Sequence, residues 1–255
     1  MVRVRIVGAG RAGTSLAHAL RERTVWVDGP LARGVDLTAA AQDVDMLILA
    51  VSDDAIADLA QQVTPNPACV VMHLSGSQSL LALRGHPRVA SLHPLVAMPT
   101  TAIGARRLGD GARFAIAGDD AVRDLVSVLG GIAIQIAEDD RARYHAAACI
   151  AANHVVALMG QVERIAMTLG MGLEDFQGLS AAALEDAVAL TPRQALTGPA
   201  ARGDVATLQG HVNALDREER ASYLAMAELA QRLVPKSGGE AFLVEVVPRI
   251  DGASS

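Results

Sequence analysis

Three polar side chains recur at intervals of four residues near position 150, namely His145, Cys149 and Asn153. At about 100° per residue, a helix places them on one face within an arc of roughly 80°. Most of their neighbours are alanines, and burying an unpaired polar group costs about 1–3 kcal/mol. This stripe therefore either lines a cleft or is hydrogen-bonded inside a helix interface. We expect a site in which His145 exchanges a proton, because imidazole titrates near neutral pH, and Asn153 orients the substrate.

Three further candidates lie outside this stripe. Ser75 belongs to the sequence Leu-Ser-Gly-Ser at 74–77, where small residues suit a carboxylate or a ribose, although Ser77 or Ser79 is equally typical of a helix cap. His93 precedes a proline at the end of another apolar run and is the second acid/base candidate. Arg202 lies in the glycine-containing segment 196–204, and it is either a bidentate carboxylate clamp or a surface arginine in a turn.

Residues 8–13 have the sequence Gly-Ala-Gly-Arg-Ala-Gly, which fits the pattern GxGxxG. This segment follows an alternating apolar run and opens a helical pattern, the context that a dinucleotide-binding loop requires. Gly8 would allow a tight turn, Gly10 would let the backbone approach a pyrophosphate, and Gly13 would let the helix pack closely on the strand. A strand, turn and helix without a ligand is the simpler alternative. The predicted cofactor-binding residues of this loop are Gly8, Gly10, Arg11, Ala12 and Gly13.

An acidic residue, Asp28, closes the second predicted strand 20 residues after Gly8. An acid at this position binds the ribose hydroxyls of NAD and repels the 2′-phosphate of NADP, although Asp28 also fits a turn. Arg33 would bind that phosphate if the following loop folds back. We therefore expect NAD or NADP, with NAD favoured. The end of the third strand adds three residues that either contact the cofactor ribose or cap the next helix, namely Val51, Ser52 and Asp53.

The elements that position these residues change in kind along the chain. Strands are predicted at 2–7, 25–27, 46–51, 69–74, 89–92, 114–117 and 132–136, with helices at 11–21, 53–63 and 119–129. This alternation predicts a doubly wound parallel sheet with helices on both faces. Only helices are predicted afterwards, at 141–169, 174–190, 205–215 and 217–234. The predicted fold class is α/β, with a dinucleotide-binding domain at 1–140 and an all-α substrate and dimerisation domain at 141–255.

Composition excludes several classes of protein. A net charge of −6 and an aromatic content of 2% argue against a nucleic-acid binder. No uninterrupted apolar run reaches the roughly 20 residues of a bilayer span, so we expect a cytoplasmic protein without a membrane partner. The two cysteines and the histidines lack zinc spacing, so no metal is expected. Small apolar faces at 146–152 and 181–189 predict a homodimer through the helical domain.

These motifs together resemble a known family. Their order is the glycine loop, Leu-Ser-Gly-Ser at 74–77, His-Pro-Leu at 93–95, Tyr-His-Ala-Ala-Ala at 144–148 and Leu-Thr-Gly-Pro at 196–199, the last followed by Arg-Gly-Asp at 202–204. The chain is similar to bacterial Rossmann-like oxidoreductases whose helical C-terminal half is a domain of unknown function. They belong to the 6-phosphogluconate dehydrogenase-like superfamily, with ketopantoate, pyrroline-5-carboxylate, prephenate and β-hydroxyacid enzymes as relatives.

The resemblance implies both an activity and a departure from it. In β-hydroxyacid dehydrogenases and ketopantoate reductases, a helix carries an acid/base lysine and an asparagine one turn later. Asn153 matches that asparagine, whereas Cys149 occupies the lysine position and the single lysine of the chain is Lys236. Prephenate dehydrogenases use a His-Pro pair similar to the one at His93. We expect an NAD(P)-dependent oxidoreductase of a small carboxylated oxo or imino substrate, with a non-catalytic dinucleotide sensor as the alternative.

Overall fold

A computed structural model describes residues 1–234, and its strands form a sheet near the N-terminus. The strands are β1 Val2–Val7, β2 Val25–Leu31, β3 Met46–Leu49, β4 Val70–His73, β5 Val89–Pro94, β6 Arg113–Gly118 and β7 Ile132–Gln135. Their order is β2-β1-β3-β4-β5-β6-β7. All neighbours are parallel except β5 and β6, which pair antiparallel. The prediction of a wholly parallel sheet is therefore wrong at this one pair.

Helices surround and follow the sheet. The first five are α1 Arg11–Arg21, α2 Ile56–Gln62, α3 Thr101–Gly109, α4 Ala121–Val128 and α5 Arg141–Cys149. Those that follow are α6 Val155–Thr168, α7 Gln177–Ala189, α8 Pro192–Ala195, α9 Pro199–Arg202, α10 Val205–Ala214 and α11 Arg217–Gln231. A π-helical turn, Ile150–His154, links α5 to α6. Between residues 155 and 234 every regular element is helical, as the sequence predicts.

The core has two layers because both faces of the sheet are covered. Met46 and Ile48 point into one apolar cluster, which includes residues of α1, α3 and α4. Leu47 and Leu49, which alternate with them, point into a second cluster that includes residues of α2. All four side chains of β3 are buried. A continuous apolar strand of this kind is typical of a parallel sheet with helices on both faces, and the predicted α/β class is confirmed.

Helix α3 is the main element of the first half that the sequence analysis does not predict. Gly104 and Gly109 weaken its helical pattern. Gly104 is required by packing, since a Cβ there would lie 2.3 Å from Oγ of Ser15 on α1. The buried Ser15 hydroxyl also donates a hydrogen bond to the carbonyl of Thr101 at 3.2 Å. The close packing of α1 and α3 thus requires Gly104, and this glycine weakens the pattern from which α3 would be predicted.

The described chain forms two compact units, Met1–His154 and a second that starts at Val155. Helix α5, which the sequence analysis assigns to the helical domain, lies in the first unit. The reason is Arg141, whose side chain is buried and donates to Oγ of Ser91 on β5 at 2.6 Å. Lys236 and the predicted end of the helical domain lie outside the described residues.

Within residues 1–234, one helical stretch, Glu138–Thr168, has the length and apolar composition of a bilayer span. A buried core helix of a water-soluble protein passes the same test, but only 6% of this window is buried. The stretch carries Asn153 and His154 at its middle and His145 nearer its start. Polar and ionisable residues at that depth are expensive in lipid. The absence of a membrane partner stays a prediction.

Candidate active site

The three glycines of the first loop have the geometry that the GxGxxG pattern predicts. Gly8 has a φ of +112°, and a Cβ there would lie 2.2 Å from the carbonyl oxygen of Ala50. A Cβ on Gly13 would lie 2.1 Å from the carbonyl oxygen of Gly8, so α1 packs directly against the loop. A Cβ on Gly10, by contrast, would meet no atom within 4 Å. The backbone at Gly10 is therefore open to a ligand.

The start of α1 is suited to an anion. Gly10 caps the helix without a side-chain hydrogen bond, and no acidic residue lies in the first turn. The first N–H groups, from Arg11 onwards, thus meet no competing carboxylate of their own helix, and the helix dipole adds partial positive charge. Arg11 itself donates from Nη1 to the carbonyl of Pro99 at 3.4 Å. A pyrophosphate fits these residues.

A cavity of about 810 Å³ adjoins the glycine loop. Gly8 and Gly10 form one side of it, and Val51 and Ser52 at the end of β3 also line it. Arg33 lies on its wall because the chain after β2 returns to the loop, where the N–H of Gly8 donates to the carbonyl of Leu31 at 2.9 Å. The fold-back that the sequence analysis set as a condition for Arg33 is thus present.

Asp28 occupies a different place from the predicted one. Strand β2 continues past it to Leu31, so Asp28 pairs with β1 and does not end the strand. Its Oδ2 accepts a hydrogen bond from Nε of Arg5 at 2.6 Å, and the Arg5 guanidinium also donates to the carbonyl of Ala40. The expectation of NAD, which rested on a free carboxylate at the ribose, has no support in this arrangement.

Asp53 joins the two strand ends next to the glycine loop. Its Oδ2 accepts a hydrogen bond from the hydroxyl of Ser77 at 2.5 Å. The neighbouring Ser75 is buried, and its Oγ accepts from the backbone N–H groups of Ser77 at 3.2 Å and Gln78 at 3.0 Å. Ser75 thus holds the turn after β4 in place, whereas the helix cap of this segment is Ser79, whose Oγ accepts from the N–H of Leu81 at 3.3 Å.

Two histidines from different elements meet over this turn. The ring centroids of His93, on β5, and His145, on α5, lie 5.8 Å apart, and the rings are arranged edge to face. A Cβ on Gly76 would lie 2.6 Å from Cδ2 of His145 and 2.8 Å from Cε1 of His93. Nδ1 of His93 lies 2.5 Å from the hydroxyl of Tyr144. The absence of a side chain at position 76 is what lets the two imidazoles come together.

Burial shifts the pKa values of His93 and Tyr144. Burial, followed by the influence of His145 and Arg141, lowers the pKa of His93 to about 4. Burial raises the pKa of Tyr144 to about 12. Both groups are therefore neutral at pH 7, and the hydroxyl of Tyr144 can donate to Nδ1 of His93. That bond leaves the proton of the imidazole on Nε2.

The buried side chain of Arg141 connects the segments that carry these residues. Arg141 donates to Oε1 of Glu138 at 2.9 Å and to Oγ of Ser91, and its Nη1 lies 3.5 Å from the carbonyl oxygen of Ser75. Glu138 in turn accepts from the N–H of Leu80 through Oε2 at 2.8 Å. The ion pair with Glu138 and the contacts with neutral oxygens offset the cost of burying the guanidinium.

His145, Cys149 and Asn153 line one cavity of about 660 Å³, together with His93. Sγ of Cys149 lies 3.8 Å from Nε2 of His145. The π-helical turn after Cys149 changes the helical pitch, yet Asn153 still lines the same cavity. π turns occur frequently at functional sites. The structure therefore brings together four of the five predicted catalytic residues, since Ser75 holds the turn against which both histidines pack and Arg202 is the exception.

Arg202 lies on α9 in the second compact unit, and its role as a carboxylate clamp stays a prediction. The neighbouring Asp204 caps α10 by accepting from the N–H of Thr207 at 3.1 Å. Sequence reasoning did not single out Tyr144, Gly76 or Arg107, although Tyr144 directly precedes His145 and Gly76 lies inside a motif that was selected. Within residues 1–234, no three His, Cys, Asp or Glu side chains are grouped as metal ligands.

The sheet, its crossovers and the glycine loop define a Rossmann-type fold of the dinucleotide-binding class. A family model described as a domain of unknown function, DUF2520, matches residues 114–230. This match confirms the resemblance that the sequence motifs predict. No curated protein matches the chain.

Solved structures share the fold over nearly the whole chain. A candidate NADP oxidoreductase, BF3122 from Bacteroides fragilis, is 18% identical with a TM-score of 0.76, over 91% of this chain and 98% of that one. A reductive aminase from Aspergillus terreus, in complex with NADPH and ethyl-5-oxohexanoate, is 16% identical with a TM-score of 0.68, over 98% and 99%. Pyrroline carboxylate reductase from Plasmodium falciparum, with NADP bound, is 13% identical with a TM-score of 0.60, over 92% and 98%.

Proposed function

We propose that this protein is an NAD(P)-dependent oxidoreductase that acts on a small carboxylated oxo or imino compound. The observation that carries the proposal is the placement of two imidazoles on the same rim of the sheet as an open glycine loop. Ligands of such sheets bind at the carboxyl ends of the strands, at the point where the connections that follow β1 and β3 leave in opposite directions. Structural neighbours named as NADP oxidoreductase, reductive aminase and pyrroline carboxylate reductase support the same class.

The bound dinucleotide would supply or accept the hydride. The protein would hold its pyrophosphate at Gly10 and the first turn of α1. His145 would move the proton to or from the substrate heteroatom, because His93 is already neutral and its Nδ1 is engaged by Tyr144. His93 would hold the substrate by a hydrogen bond from Nε2. Asn153 would orient the same substrate from the cavity wall.

The turnover of small oxo acids and imines tests this assignment. Purified protein with NADPH is offered ketopantoate, other 2-oxo acids and cyclic imines that carry a carboxylate. We expect turnover of at least one, and His145→Ala should lower it about 10²–10⁴-fold while the affinity for NADPH is unchanged. His145→Asn keeps a hydrogen bond but cannot titrate, so it should remain impaired.

A non-catalytic dinucleotide sensor is the second candidate. The observation that favours it is Cys149 at the position where related enzymes carry an acid/base lysine. A sensor would bind NADPH and oxidise it with none of these substrates, and His145→Ala would leave all its measurable properties unchanged.

We further propose that the protein is cytoplasmic and that its helical part forms a homodimer.

We propose NADP(H) as the preferred cofactor, with Arg33 as the residue that binds the 2′-phosphate. Arg33 lines the cavity at the glycine loop, whereas Asp28 is neutralised by Arg5 and lies off the cavity wall. A charge-assisted hydrogen bond to a phosphate contributes about 1.5–3 kcal/mol. Arg33→Ala should therefore weaken NADPH binding about 10- to 100-fold and leave NADH binding within twofold, as measured by calorimetry.

Arg84→Ala removes an exposed arginine that does not line this cavity, and it serves as the matched control. It should change neither affinity. Tighter binding of NADH than NADPH by the unmodified protein would contradict the preference for NADP(H).

A further inference from the structure

The cavity that holds the two histidines has an unbalanced charge. Its walls carry one cationic side chain, Arg107, and no aspartate or glutamate among the described residues. The remaining polar groups are His93, His145, Cys149 and Asn153, and the rest of the lining is alanine, valine, leucine and proline. A cavity of this composition favours an anionic ligand with an apolar body, because nothing in it balances a ligand cation.

Arg107 is held so that most of its donors remain for a ligand. The residue lies in the last turn of α3, and its Nη1 donates to the carbonyl of Ala97 at 2.6 Å. No carboxylate within residues 1–234 forms an ion pair with it, although six other arginines have such a partner. A guanidinium has five N–H donors in a rigid fork that matches a carboxylate bidentately. The bond to Ala97 fixes the direction of the fork and uses one donor.

Chain geometry keeps this fork close to the proposed acid/base group. Ala97 follows His93 by four residues in the segment that leaves β5. Four residues of fully extended chain span at most about 14 Å. Arg107 and both histidines line the same cavity, so a ligand bound there lies near the guanidinium and the imidazoles, and Leu95 and Val96 add apolar wall to it.

We infer that Arg107 is the carboxylate-binding residue of this cavity and that the substrate is a small monocarboxylate with a compact apolar body. The inference rests on the proposed function and deepens it, since it assigns the specificity for the carboxylate to α3. It replaces Arg202 as the carboxylate clamp. The oxo or imino group of the substrate then faces the two histidines, and its carboxylate faces α3.

The test compares 2-oxobutanoate with its methyl ester, which has the same oxo group and no charge. NADPH-loaded protein is assayed for kcat/KM on both and is titrated with both in a calorimeter. Arg107→Gln should lower kcat/KM and affinity for the acid about 10- to 100-fold and leave the ester within twofold. Arg107→Lys should restore part of the loss, because lysine keeps the charge but not the fork.

Arg106→Gln is the matched control, because it removes the same charge from the adjacent position of α3, which is exposed as Arg107 is but lies outside the cavity lining. It should leave both compounds unaffected. Equal loss in the two variants, equal binding of acid and ester by the unmodified protein, or a selective loss of the acid in Arg202→Gln instead would overturn the inference. If Arg107-dependent binding of the acid occurs and none of the oxo acids and imines offered above is turned over, the proposed function fails and the assignment of Arg107 as the carboxylate-binding residue stands. If the ester is turned over as well as the acid, the inference fails and the proposed function stands.

Discussion

Histidines in this protein differ in what their surroundings let them do. His93 is half-buried, its Nδ1 lies 2.5 Å from the hydroxyl of Tyr144, and burial lowers its pKa to about 4, so the ring is neutral at pH 7. His145 faces the same cavity beside the thiol of Cys149. Two imidazoles in contact cannot both hold a proton cheaply, because like charges in a partly buried site repel each other. His93 is therefore the neutral member of the pair, and the proposed function assigns proton transfer to His145.

His73 predicts a specific dependence of stability on pH. Its ring is fully buried at the end of β4, and neither ring nitrogen has a hydrogen-bond partner among the described residues. Burial and then the charge of Arg141 lower the pKa of His73 to about 4, below its ordinary value of 6.5. The unfolded chain therefore binds a proton that the folded protein refuses between these two pH values. The contribution of His73 to the free energy of unfolding is fully present above pH 6.5 and is lost as the pH falls towards 4.

His73→Leu should remove this loss, since leucine cannot titrate. Between pH 7.5 and pH 5 the free energy of unfolding should fall by on the order of 2 kcal/mol less in the variant than in the unmodified protein. Urea denaturation at the two pH values measures the difference. His18→Leu makes the same substitution at an exposed position of α1 and is the control for replacing a histidine by a leucine. Identical pH profiles for His73→Leu and the unmodified protein would disprove the proposed role of burial.

The elements show where sequence reasoning succeeds. Strand β1 alternates, and β3 and β4 belong to apolar runs too short for a helix, so all three are predicted to within two residues. Strand β2 is longer than predicted because it continues through Gly29 and Pro30, residues that usually end a strand. It lies at the edge of the sheet, where a proline costs no ladder hydrogen bond. Only the position of a strand in the sheet reveals this.

The candidate site divides in the same way. His93 and Ser75 could be found because parallel strands bring their carboxyl ends to one rim, and His145 could be found from its spacing with Cys149. Arg107 could not be found, since its place depends on how α3 packs against α1 through Gly104. The pairing of Asp28 with Arg5 depends likewise on the register of β1 and β2. Contacts between elements decide these roles, and local sequence does not contain them.

The turn that follows β4 predicts a substitution that separates folding from activity. Gly76→Ala would place a methyl group within 3 Å of both His93 and His145, so at least one ring must move. We expect a loss of turnover of about 100-fold or more, because displacements near 1 Å are costly to catalysis. Affinity for NADPH and the thermal unfolding midpoint should change little. Gly210→Ala, where a Cβ meets open space on α10, is the control and should retain full activity.

Between residues 155 and 234, the second compact unit has little buried apolar core. Its buried apolar cluster contains Val212 and Ala227, with three partly buried neighbours. Helix α7 has no buried residue, although its composition is largely alanine, leucine and valine. Leu179, Leu184 and Val188 on this helix are 72%, 54% and 89% exposed. Leu184 and Val188 are one turn apart and share a face, whereas Leu179 lies on the opposite side of the helix. A helix that is apolar on all sides is normally buried, so this exposure marks an interaction site.

A second copy of the chain is the partner that we expect on α7. The helix offers an apolar surface without a lysine or arginine, so two identical faces can pack together without opposing positive charges. Multi-angle light scattering at micromolar concentration should give a dimer. Leu184→Glu should shift it to a monomer, because burying two unpaired carboxylates in a symmetric interface costs more than the contact contributes. Leu81→Glu, on a 75% exposed leucine of the first unit, should leave the dimer intact. A monomeric unmodified protein, or a dimer that survives Leu184→Glu, would show that α7 is not the interface.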